Sequence, residues 1–211
     1  MEASWLICAA YVAGGYLLGS ILFGCILPKA IKGIDITAVS RDGNPGTANA
    51  MRYAGIGVGL LCLLGDLAKG FVPVFFGARQ LGTHLPAFGL VLAAPVLGHA
   101  FSAFRNFRGG KAIAVSFGVL LGLLPRQGIV WILAGLYLFF SLILPIRPHE
   151  RRTVWTFGFF ALFVCALYLR HKLPFSLLAG SGLMAAVVIY KNLEQHPRRN
   201  FSEAGRVEKT E

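Results

Sequence analysis

Between Ala54 and Phe76 the chain reads AGIGVGLLCLLGDLAKGFVPVFF, an apolar run interrupted by one acid and one base, Asp66 and Lys69. A helix rises about 1.5 Å per residue, so roughly 20 apolar residues cross the hydrocarbon core of a bilayer. This run suffices. Six others flank it: Trp5–Leu27, Leu85–Phe104, Ala112–Leu124, Ile129–Ile146, Val154–Leu169 and Leu173–Tyr190. With 56% hydrophobic residues, 14% charged residues and a mean hydropathy of +0.67, the chain is far from a soluble domain. The pattern predicts an all-α integral membrane protein with about seven transmembrane helices. Ala112–Leu124 is short for a span, and reaches across only if the preceding turn Gly109-Gly110-Lys111 dips into the membrane.

The basic residues set the expected orientation, because Lys and Arg accumulate in cytoplasmic loops. One side collects Lys29, Lys32, Arg41 and Arg52, then Arg105, Arg108 and Lys111, then Arg147, Arg151 and Arg152, and finally Lys191, Arg198, Arg199, Arg206 and Lys209. The other side holds Arg79, Arg126, Arg170 and Lys172. This asymmetry predicts glycine-rich loops, the Arg147–Thr153 loop and the C-terminus inside, with the N-terminus outside. The domain organisation that follows is one polytopic membrane unit, residues 1–190, and a basic cytoplasmic tail, 191–211, in a multi-pass protein of the cytoplasmic membrane. The net charge of +11 is dispersed over several loops, so it reads as topology and argues against a nucleic-acid partner. The N-terminus begins Met1-Glu2 without a positive segment, which predicts a retained first span instead of a cleaved signal. Cys8, Cys25, Cys62 and Cys165 lie within the runs and form no close-spaced redox or metal motif.

Three features stand out against this apolar background. Ser40 to Arg52 reads SRDGNPGTANAMR: its glycines let backbone amides converge, Asn and Thr side chains add donors, and Arg52 supplies a planar fork suited to phosphate. A turn followed by a helix cap is the alternative. His99 to Lys111 reads HAFSAFRNFRGGK, with two glycines and a lysine opening a new helix, an arrangement that favours anions but lacks the full Walker A pattern. Asp66 and Lys69 share one helical face within a span, as a structural ion pair or as substrate contacts. Pro73 and Pro95 fall inside spans, where a missing donor predicts a kink or an unwound turn. Most glycines in the spans read as sites of close helix packing.

Taken in order, Gly19-Ser20 and Gly24, Gly43-Asn44-Pro45-Gly46 with Asn49 and Arg52, Asp66 with Lys69-Gly70, Gly98-His99, Phe104 and Phe107-Arg108-Gly109-Gly110-Lys111 resemble the bacterial acyl-phosphate glycerol-3-phosphate acyltransferases of the PlsY type. The resemblance implies transfer of an acyl group from a fatty acyl phosphate to the 1-hydroxyl of glycerol 3-phosphate, giving lysophosphatidic acid and phosphate, next to membrane lipids and without a cofactor or metal. The family's first loop carries a functionally important Ser where this chain has Asp42, and its Ala-Thr order becomes Thr47-Ala48. Its last motif, His with Asn three residues on, appears as Asn192 and Gln195. An acid beside a phosphate repels it, so Asp42 is expected to turn away, to cap the following turn, or to pair with Arg41 or Arg52.

An acyl phosphate is already activated, so the protein must chiefly juxtapose two phosphorylated reactants and stabilise developing charge. Arg52 and Lys111 are the expected phosphate charges. Asn44, Asn49, Thr47 and Ser40 orient, Gly43, Gly46, Gly109 and Gly110 admit the ligand to the backbone, and Asp66, Lys69 and Asn192 complete the expected substrate-binding set. His99 is the candidate acceptor of the glycerol hydroxyl proton, with a hydrogen-bonded support as the other reading and a substrate phosphate oxygen as the competing acceptor. Two other classes stay open: a non-catalytic relative that binds lipid phosphates, and an organic-anion transporter. Acyl-chain length and oligomeric state have no signature in the sequence.

Overall fold

A computed structural model describes residues 2–194, with side chains from Trp5 onward. Gln195 and the tail charges Arg198, Arg199, Arg206 and Lys209 lie outside the described residues, as does Met1.

The first apolar run folds as two helices, α1 (Glu2–Ser20) and α2 (Phe23–Lys32), separated by Ile21 and Leu22. Backbone that leaves a helix inside an apolar region needs polar partners from the protein itself. They are present: Lys69 Nζ donates to the Ile21 carbonyl at 2.5 Å, Ser102 Oγ donates to the Ser20 carbonyl at 2.7 Å, and the Ala103 amide donates to Ser20 Oγ at 3.2 Å. α3 (Ile36–Val39) follows, capped by the Asp35 carboxylate, which accepts from the Thr37 amide at 2.9 Å. α4 (Thr47–Ala54) begins after Gly46 and turns through Gly55, at φ 96°, into α5 (Ile56–Leu81).

α5 runs unbroken through Pro73, and α6 (Phe88–Ala100) runs unbroken through Pro95. Of the kink or unwound turn expected at these prolines, the unwound turn is absent. The interrupted span is the first one, where tertiary hydrogen bonds from α5 and the end of α6 replace the helical ones. After α6 the chain makes a short 3-10 turn, Ala103–Arg105, and the loop to Lys111.

α7 (Ile113–Leu121) packs tightly on α5, since an added Cβ at Gly70 would meet the Val115 carbonyl and one at Gly118 would meet the Leu67 carbonyl. Small residues permit this backbone approach. α8 (Ile129–Leu138) continues into a π turn, Phe139–Ile143. α9 (His149–Leu169) starts before the expected span, because Pro148 is set for a helix entrance and Glu150 lies in the first turn, where the helix dipole favours an acid. Most of the loop expected at Arg147–Thr153 is therefore helix. α10 (Phe175–Leu193) also outruns its expected end at Tyr190, with Lys191 and Asn192 both buried.

Phe88, Phe157, Phe160, Leu120, Leu133, Leu177 and Met184 are fully buried at the bundle's core, whereas Leu6, Leu142, Ile143, Leu162 and Leu169 point outward and are strongly exposed. An outward apolar surface on this scale suits lipid as the solvent. Five segments are long and apolar enough to cross: Trp5–Lys32, Ile56–Leu81, Phe88–Arg105, His149–Leu169 and Phe175–Leu193. The remaining two of the seven expected spans are shorter, Ile129–Ile143 and the nine-residue α7. The all-helical multi-pass membrane architecture is as expected; a count of seven rests on those two pieces.

Candidate active site

The first glycine-rich loop is organised by the residue that departs from the family pattern. Asp42 Oδ1 accepts from Asn49 Nδ2 at 2.8 Å and from the Asn44 amide at 3.3 Å, while its Oδ2 meets Lys111 Nζ at 2.9 Å. Asn49 Nδ2 also donates to the Asn44 carbonyl at 2.9 Å, tying the loop to the first turn of α4. The expected partners Arg41 and Arg52 form no ion pair with Asp42; Lys111, distant in sequence, takes that place. Partial burial pushes the Asp42 carboxyl up, but the Lys111 hydrogen bond and charge, with the Asn49 and Asn44 donors, outweigh it and hold the group below the ordinary carboxylate range.

The second loop is brought to the first by backbone contacts. The Gly110 amide donates to the His99 carbonyl at 3.0 Å, and the Lys111 amide donates to Asn44 Oδ1 at 3.2 Å. Neither glycine could be larger: a Cβ on Gly109 would strike the His99 carbonyl, and one on Gly110 would strike the His99 ring. Lys111 Nζ reaches a second acid, Glu150 Oε1, at 3.1 Å, so one ammonium joins both loops to the start of α9.

Behind the loops, Lys69 Nζ meets Asp66 Oδ1 at 2.9 Å, His99 Nδ1 at 2.8 Å and the Ile21 carbonyl at 2.5 Å. Two of its contacts are hydrogen bonds, to His99 Nδ1 and the Ile21 carbonyl, and the third is the ion pair with Asp66. Lys69 thus forms the ion pair that was one of its two expected roles. The His99 ring is thereby held in place beside the Asp66–Lys69 pair and is itself buried.

Most of the expected site residues divide between two cavities, and Lys69, Gly110 and Asn192 line neither. The larger, of 820 Å³, is lined by Asn44, Gly46, Thr47, Asn49, Arg52, Asp66, His99 and Lys111. Ser40, Gly43 and Gly109 instead line a second cavity of 540 Å³, and Arg41 and Asp42 border both. Asn192 lines neither: it is buried, with Nδ2 donating to the Val188 carbonyl of its own helix at 2.8 Å. Its neighbour Lys191, about 100° around the helix, faces the second cavity. Arg52 lines the larger cavity and forms no ion pair among the described residues, and the buried Thr47 Oγ1 there lacks a hydrogen-bond partner among them. Sequence reasoning missed His149 and Glu150, which also line this cavity. The basic cluster Arg147, Arg151 and Arg152 placed them on the expected loop face, but nothing local linked Glu150 to Lys111. Among the described residues, no group of three or more His, Cys, Asp or Glu side chains is arranged to hold a metal ion.

This geometry has relatives. A family profile described as glycerol-3-phosphate acyltransferase matches residues 9–200. The glycerol-3-phosphate acyltransferase of Geobacter sulfurreducens is 36% identical over 89% of this chain and 90% of its own length. That of Trichlorobacter lovleyi is 37% identical over 86% and 88%. The crystal structure of PlsY, an integral membrane glycerol 3-phosphate acyltransferase, in its glycerol 3-phosphate form superposes with a TM-score of 0.76 at 29% identity, covering 89% of this chain and 88% of that one. Its lysophosphatidic acid form gives 0.73 at 28% identity. With a match across nearly the whole chain and the two loops joined at one cavity, this protein belongs to the glycerol-3-phosphate acyltransferase family.

Proposed function

We propose that this membrane glycerol-3-phosphate acyltransferase takes its acyl group from a fatty acyl phosphate and delivers it to the 1-hydroxyl of glycerol 3-phosphate, releasing lysophosphatidic acid and phosphate for phospholipid synthesis. The observation that carries the reading is the larger cavity, where Lys111 and Gly46 meet Arg52 and the Thr47 hydroxyl, which have no ion pair and no hydrogen-bond partner, respectively, among the described residues.

Two phosphorylated reactants bring several negative charges, and Arg52 with Lys111 supports them at close range. In the reaction, the glycerol oxygen attacks the acyl carbon. The bond from that carbon to the phosphate oxygen then breaks, its electron pair leaves with phosphate, and the hydroxyl proton passes to a phosphate oxygen. His99 supports this step as the anchor of Gly110 through its carbonyl, with its ring in the cavity lining. Asn44 and Asn49 hold the loop's shape, and the acyl chain stays in lipid between helices.

We also infer seven crossings in the cytoplasmic membrane, with the N-terminus outside and both glycine loops inside. The basic tail then follows α10 on the cytoplasmic side, on the charge asymmetry of the loops. The purified chain supplied with acyl phosphate and glycerol 3-phosphate is expected to yield lysophosphatidic acid and phosphate in equal amounts. Turnover with acyl-CoA but not with acyl phosphate would overturn the donor assignment.

A further inference from the structure

Glu150 lines the larger cavity and is used by none of the steps of acyl transfer. A carboxylate beside two phosphorylated reactants repels them, so its presence in the lining calls for a compensating contact. Its place is fixed by the chain, because it sits in the first turn of α9 directly after Pro148 and His149.

Lys111 relates this acid to the substrate. Its Nζ donates to Asp42 Oδ2 at 2.9 Å and to Glu150 Oε1 at 3.1 Å, which leaves the third donor of the ammonium for a substrate phosphate oxygen. Acceptors on different donors of one ammonium lie roughly 5 Å apart, since the donors diverge tetrahedrally. A phosphate oxygen on the third donor is therefore held at roughly that distance from Glu150 Oε1. The 2-hydroxyl of glycerol 3-phosphate lies roughly 3–6 Å from a phosphate oxygen in staggered conformers, which brings it within hydrogen-bond reach of Glu150.

Of the two acids on Lys111, Glu150 is the one with acceptor capacity left. Asp42 takes Asn49 Nδ2 and the Asn44 amide in addition to Lys111. Lys111 is the one side-chain hydrogen-bond partner of Glu150 among the described residues, and the Glu150 side chain is 41% exposed where it lines the cavity. A carboxylate has room for several donors, and a hydroxyl is a donor that suits it.

We propose that Glu150 accepts a hydrogen bond from the 2-hydroxyl of the acyl acceptor and so selects a phosphorylated vicinal diol. The 1-hydroxyl, one carbon further along, is then left to meet the acyl carbon. This inference rests on the glycerol 3-phosphate acyltransferase reading and adds a specificity-determining residue to it.

The test compares glycerol 3-phosphate with 3-hydroxypropyl phosphate, which keeps the phosphate and a primary hydroxyl but lacks the secondary one. Both are given to the full chain in nanodiscs with a saturating long-chain acyl phosphate, and the ratio of their kcat/KM values is read. Each ratio is internal to one preparation, so it is independent of folded yield. Wild type is expected to favour glycerol 3-phosphate by about tenfold or more, and Glu150→Ala to lose that preference. Glu150→Gln, whose amide oxygen still accepts a hydroxyl but carries no charge for Lys111, should keep an intermediate ratio. A fall in both kcat/KM values with the ratio unmoved would overturn the proposal, because Glu150 would then act only through Lys111. Equal use of both acceptors by wild type would overturn it as well. No product from wild type with either acceptor would overturn the acyltransferase reading and this inference with it, so the two failures are told apart.

Discussion

Replacing Asp42 with Ser tests how this chain manages an acid at its phosphate site. In the structure the Asp42 carboxylate lies 2.9 Å from Lys111 Nζ and takes two further donors from its own loop. A phosphate in contact with Lys111 would sit roughly 6 Å from that carboxylate, and at an effective dielectric of about 40–80 each pair of charges repels by about 0.7–1.4 kcal/mol. Removing the carboxylate should therefore lower KM for a phosphorylated substrate by about three- to tenfold. The loss of loop hydrogen bonds works against stability by about 1 kcal/mol, because Ser can still accept from the Asn44 amide and Lys111 keeps Glu150. The assay is lysophosphatidic acid formation by wild type and Asp42→Ser at matched expression, with glycerol 3-phosphate and acyl phosphate varied separately and a thermal melt alongside. Retained or raised kcat/KM is expected. Turnover abolished in a variant that melts normally would refute the reasoning, since the carboxylate would then be required for the chemistry.

Other outcomes follow from the same geometry. Arg52→Ala and Lys111→Ala should each weaken use of phosphorylated substrates by about 1.5–3 kcal/mol in kcat/KM while leaving folded yield largely unchanged; unchanged kinetics in both would remove them from the site. Lys69→Met leaves Asp66 buried without its cation and should destabilise the fold by about 3–5 kcal/mol, read as a large drop in melting temperature. Because Asp42 is held below its ordinary range in the folded state, its contribution is full above the unfolded value of about 3.9 and fades as pH falls through the folded value. The melting difference between wild type and Asp42→Asn should thus be flat from neutral pH down to about pH 5 and vanish in stronger acid. Cysteines introduced at Arg147 and in the tail should be labelled from the same, cytoplasmic side; labelling of either from outside contradicts the orientation.

What the sequence made legible was whatever depends on spacing along one element. Asp66 and Lys69, three apart on a helix, meet as expected, and the apolar runs mark the helices of the bundle. The break at Ile21 and Leu22 was invisible, because those residues are as apolar as their neighbours and the partners that permit it come from Lys69 and Ser102. Pro73 and Pro95, both buried, leave their helices continuous, so of the two outcomes expected there the unwound turn is absent. In the site, the residue types were legible but their sorting was not. The path of the loop through Pro45 decides that Asn44 and Thr47 face one cavity and Ser40 and Gly43 the other. Asp42 was expected to turn away, to cap the following turn or to pair with a nearby arginine; it accepts from the Asn44 amide of that turn, and its charge partner is Lys111.

The buried Lys69 ammonium has a mechanical consequence. It touches the interrupted first span, its own helix α5 and α6 at one atom, so none of the three can slide past another without breaking a charge-assisted contact. Shear is thereby locked out of that side of the site. The opposite side, where the start of α9 meets the loops, is joined through the Lys111 contact with Glu150, a pair within reach of water and therefore cheaper to exchange. The cavity is accordingly fastened unequally, by a buried three-way contact on one side and by a single pair within reach of water on the other.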